Sequence, residues 1–75
     1  MKLPNKVITY KESILAKFPY ILAVVKEQEI SVDLLYKKVK SKVYDIGEFM
    51  EIMDCLYALG KIGLDEKKGV IYYVA

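Results

Sequence analysis

Arginine, histidine and tryptophan are missing from this 75-residue sequence, cysteine occurs once and proline twice. Each absence removes a class of function. Without histidine, the lone Cys55 belongs to no set at zinc-ligand spacing, and alone it forms no internal disulfide. Ser13, Ser31 and Ser41 read as helix caps or helix surface, so no nucleophile has both a base and an orienting group, and the sequence points away from an enzyme. The four glycines include no phosphate-cradling motif: Gly60, Gly63 and Gly69 are spaced as a helix stop, a strand residue and a turn. No cofactor is expected. Arginine is the residue that clamps phosphates and guanine edges with a two-pronged fork, and its absence weakens any case for sequence-specific nucleic-acid recognition. No run is long enough to span a bilayer, and the N-terminus lacks the apolar stretch and cleavage site of a signal peptide, so a cytoplasmic location without a membrane partner is expected.

What is present is apolar. Hydrophobic residues make up 55% of the chain and mean hydropathy is +0.20, high for a domain that buries only about 60 to 65% of its unfolded surface. Some of that surplus is expected to meet a partner. No repeat, linker or low-complexity segment divides residues 1–75, which read as one domain.

Hydrophobic spacing and turn chemistry predict a mostly α fold with a small C-terminal β-hairpin, in the order of a winged helix: three helices and a wing. Leu3-Pro4-Asn5 reads as a turn and Val7 to Tyr10 as a short strand of β-formers, with the first helix starting near Lys11 to Ser13. Ile14, Leu15, Phe18, Ile21, Leu22 and Val25 repeat at helical spacing, and Pro19 is expected to kink or restart that helix. Ser31 suits the N-cap of a second helix reaching about Lys42, with Asp33 in its first turn and Val32, Leu35, Tyr36, Val39 and Val43 as its buried stripe. Asp45 caps the third helix, Glu48 follows three residues later as in a capping box, and Gly60 ends the helix. Ile62 to Leu64 and Val70 to Val74 are the strands of the wing, joined by Asp65 to Gly69.

The third helix is where a winged helix normally meets DNA, and here its charge is wrong for that. Ile46, Phe49, Met50, Met53, Leu56 and Tyr57 form its expected core stripe. Gly47, Glu48, Glu51, Asp54, Cys55 and Ala58 then fall outward, an acidic and small face that phosphates would repel. Carboxylates at i, i+3 and i+6 on a regular helix lack the loop carbonyls of a hard-cation site, so no metal is assigned. The outward set reads as a protein-binding face, because small residues permit close approach and carboxylates favour a basic partner. A second contact is expected from Tyr20 and Val24, on the side of the first helix away from its core stripe. The lysines Lys37, Lys38, Lys40 and Lys42, joined by Lys61, Lys67 and Lys68 near the wing, form the candidate nucleic-acid contact, weak and nonspecific. A DNA-binding winged helix and a self-associating homodimer are the competing readings.

Several segments also resemble a known family. Leu3-Pro4, Ser13-Ile14-Leu15, Ile21-Leu22, Ile30 to Leu35 and Asp54 to Ile62 are similar, in order and spacing, to the small middle component of ABC-three-component systems. These are bacterial anti-phage defence operons, Lamassu-like among them, that encode a short winged-helix-type protein with an SMC-like ATPase and an effector. The resemblance implies an accessory subunit bridging or regulating ATPase and effector, and it brings no catalytic residues.

Overall fold

A computed structural model describes the backbone of residues 3–74 and the side chains of residues 11–74. Its order is α1 (Leu3–Glu27), α2 (Val32–Val39) extended by a 3₁₀ turn (Lys40–Lys42), α3 (Ile46–Ala58), β1 (Ile62–Asp65) and β2 (Val70–Tyr73). Three helices followed by an antiparallel hairpin make a mostly helical, winged-helix-like fold.

The expected turn at Leu3-Pro4-Asn5 and strand at Val7 to Tyr10 do not form, because those residues open α1. Pro4 lies in the first turn, where an N–H has no intrahelical partner in any case. β-Branched residues then disfavour a helix only slightly once it continues for 25 residues. Nor does Pro19 divide the helix: it is exposed, as is Leu15, the residue whose carbonyl loses its i+4 donor to the proline. Ile14, Ile21 and Val25 are buried along α1, Phe18 and Leu22 pack beside them, and Leu15 is turned out to solvent.

Capping follows the sequence closely. Ser31 Oγ accepts the Leu34 N–H at 3.3 Å and Asp45 Oδ1 accepts the Glu48 N–H at 2.8 Å. At the far end of α3, the Lys61 N–H bonds the Leu56 carbonyl at 2.9 Å and the Gly60 N–H the Tyr57 carbonyl at 3.0 Å. That is a Schellman ending, and Gly60 supplies the left-handed conformation it requires with φ of 74°. α2 is shorter than expected, since its last turn tightens to 3₁₀ at Lys40–Lys42.

β1 and β2 pair from Ile62↔Tyr73 to Asp65↔Val70. Asp65 closes the turn between them, its Oδ1 accepting from the Lys67 and Lys68 N–H groups. Ile30, between α1 and α2, adds a third line of pairing that the sequence did not suggest: its N–H and carbonyl both bond Ile71, at 3.1 and 2.7 Å. This bridge ties the hairpin back to the end of α1. Ile21, Leu35, Phe49, Ile52 and Leu56 form the fully buried centre, where the Tyr36 and Phe49 rings meet at 5.1 Å and a tilt of 58°.

Candidate partner-docking surface

The buried line of α3 runs through Glu48, Phe49, Ile52, Met53 and Leu56. This corrects the expected phase by roughly 70°, about two-thirds of one residue step. Ile52 joins the core, while Ile46 (56% exposed), Met50 (45%) and Tyr57 (60%) turn outward.

Glu48 accounts for the rotation. It is only 5% exposed, yet its carboxylate is fully engaged. The Lys17 ammonium of α1 and the Tyr44 N–H, at 2.7 Å, both donate to Oε1, and Ser13 Oγ approaches Oε2 at 3.4 Å. Burial works to raise the Glu48 pKa, but the Lys17 hydrogen bond, the Tyr44 N–H, the Lys17 charge and Ser13 together outweigh it, and the group sits below its ordinary value of 4.5. Glu48 is therefore a clamp between α1 and the start of α3 rather than part of an outward face. The capping box is correspondingly modified, for Glu48 takes the N–H of Tyr44 in place of that of Asp45.

Of the other residues assigned to the outward face, Gly47, Glu51, Asp54 and Ala58 are exposed, whereas Cys55 is half-buried against the core. At about 100° per residue, Asp54 lies at the middle of the exposed arc. Gly47, Glu51 and Ala58 flank it on one side, and Ile46, Met50 and Tyr57 on the other. This second flank was missed in the sequence because its apolar residues passed for core. The only hint of it was the apolar surplus, which the sequence placed at Tyr20 and Val24 of the first helix rather than on α3. Leu64 of β1, 43% exposed, continues the apolar flank onto the hairpin. Between α3 and the hairpin the surface opens into a groove of about 190 Å³.

The two residues of the second expected contact are placed differently. Tyr20 is exposed, with the Lys42 ammonium 5.3 Å from its ring centre, while Val24 is partly buried and packs against the core. The lysines Lys37, Lys38, Lys40, Lys42, Lys61, Lys67 and Lys68 are all exposed, and none belongs to α3. Lys68 lies 3.5 Å from Glu29, an exposed pair of little energetic weight. Among the described residues no group of histidine, cysteine or carboxylate side chains is arranged to hold a metal, and no helix is long and apolar enough to cross a membrane.

Comparison with known families matches residues 3–71 to the family described as ABC-three component (ABC-3C) system Middle Component 7. No curated protein and no solved structure matches the chain.

Proposed function

The chain belongs to the Middle Component 7 family of ABC-three component systems, and from that membership we propose that it is a non-catalytic accessory subunit, bridging or regulating an SMC-like ATPase and an effector in a Lamassu-like anti-phage complex. Membership makes it one component among several and implies protein partners within the system. The observation that carries the proposal is the exposed arc of α3. It combines three large apolar side chains, two carboxylates and two small residues, and it contains no cation. Burying such apolar side chains stabilises a contact by about 25 cal/mol per Å² removed from water, and the carboxylates select a basic partner. A duplex approaching the same arc would bring its phosphates against Glu51 and Asp54, so DNA is the weaker candidate for this surface.

The test is co-purification from the native host with the ATPase and effector that this reading assigns to its system. Glu51→Lys with Asp54→Lys, and separately Tyr20→Ala, are expected to keep the wild-type circular dichroism spectrum and to weaken recovery of a partner. Wild-type stoichiometry for both variants at raised salt would refute the assigned surfaces.

A further inference from the structure

The groove beside α3 has the dimensions and chemistry of a receptor for a single side chain. Met50 and Tyr57 wall it on the helix, Leu64 and Ile71 on the hairpin and Val32 at the start of α2, with Asp54 as the one charged residue of its lining. A dry apolar cavity of about 150 Å³ accommodates a benzene ring, so about 190 Å³ suits one large aliphatic or phenyl side chain. Asp54 has no ion-pair or hydrogen-bonding side-chain partner among the described residues. A carboxylate at the mouth of an apolar groove gains more from a cation than one in open water, because the local dielectric is lower. No lysine lines the groove, and phosphate is the wrong charge for it.

We infer that this groove receives a short amphipathic segment of a partner subunit in the same system, seated by one Leu, Ile, Met or Phe side chain and held by a Lys or Arg, within four residues of that anchor, on Asp54. The inference rests on the accessory-subunit reading and names the chemistry of its contact. Apolar anchor and cation act on different atoms of the groove, so they separate experimentally. Loss of the anchor's pocket weakens binding at every ionic strength, whereas loss of the Asp54 charge removes the salt-sensitive part.

The experiment uses the assembled complex, with a photoreactive p-benzoylphenylalanine placed at the rim position of Tyr57 and the cross-linked peptide sequenced by mass spectrometry. The expected product joins Tyr57's position to a partner segment with a large apolar residue and a Lys or Arg within four positions. In unlabelled complexes, Leu64→Asp is expected to reduce partner affinity by about tenfold or more. Asp54→Asn is expected to reduce it by about three- to tenfold at low salt and to flatten its salt dependence. Both positions are exposed or partly exposed, and circular dichroism reports whether each variant is folded. A cross-link to a second copy of this chain, to nucleic acid or to a segment lacking either feature would overturn the inference, as would an assembled complex with no cross-link from this position. If the wild-type chain fails to co-purify with any component, the accessory-subunit reading falls first and the inference with it.

Discussion

Removing the Glu48 carboxylate tests the internal clamp most directly. In Glu48→Ala three groups lose their acceptor: the Lys17 ammonium, the Tyr44 N–H and the Ser13 hydroxyl. A backbone N–H left without a partner costs about 1–3 kcal/mol, and loss of a negative charge in the first turn of a helix about 0.3–1 kcal/mol. Breaking a fully buried ion pair costs about 3–5 kcal/mol, but the Lys17 side chain is 21% exposed and regains part of its hydration. Tyr44 is largely exposed as well, so its N–H also recovers some water. The expected total is about 2–4 kcal/mol, a large share of a small domain's stability, or a melting temperature lower by about 10–25 °C. Glu48→Gln keeps the shape and one acceptor and is expected to cost about half as much.

The pH dependence gives a second readout. Because Glu48 titrates below its ordinary value of 4.5 in the folded protein, its contribution is complete above the unfolded-state pKa and is lost as pH falls through the folded-state value. Urea unfolding of the wild type from about pH 6 to 3 is expected to show that loss, and Glu48→Gln to flatten the curve. An Ala variant within about 0.5 kcal/mol of wild type, with an acid limb of unchanged shape, would refute the clamp.

Other expectations follow from the same structure. Leu56 is fully buried, so Leu56→Ala is expected to cost about 2–5 kcal/mol, whereas Ala58→Ser on the exposed arc stays within about 0.5 kcal/mol in the same thermal melts. Gly60→Ala forces a Cβ into a left-handed conformation and is expected to cost about 1–2 kcal/mol by urea titration, with no change in partner recovery. In gel shifts the isolated protein is expected to bind duplex DNA only at about 10⁻⁴ to 10⁻⁶ M with steep salt dependence. Lys37→Glu with Lys38→Glu should weaken all sequences alike, and tight, sequence-selective binding at physiological salt would contradict the reading.

Sequence by itself determined those parts of the protein that depend on a few neighbouring residues. Ser31, Asp45 and Gly60 mark helix ends because capping is local hydrogen bonding, and Asp65 to Gly69 marks the turn of the hairpin for the same reason. The order of three helices and a hairpin followed from these signals and the apolar spacing. Likewise, the absence of cations from α3 was visible before any coordinate. Only the tertiary structure decided how α3 is rotated. Apolar residues surround most of that helix, so its spacing admits more than one buried face, and a charged residue was naturally assigned to water. What selects the observed face is Lys17, 31 positions earlier, which neutralises Glu48 and allows a carboxylate to be buried while Met50 and Tyr57 remain outside. The Ile30 bridge to Ile71 is equally nonlocal: a single residue carries no strand pattern, and its pairing exists only because folding brings β2 alongside the end of α1.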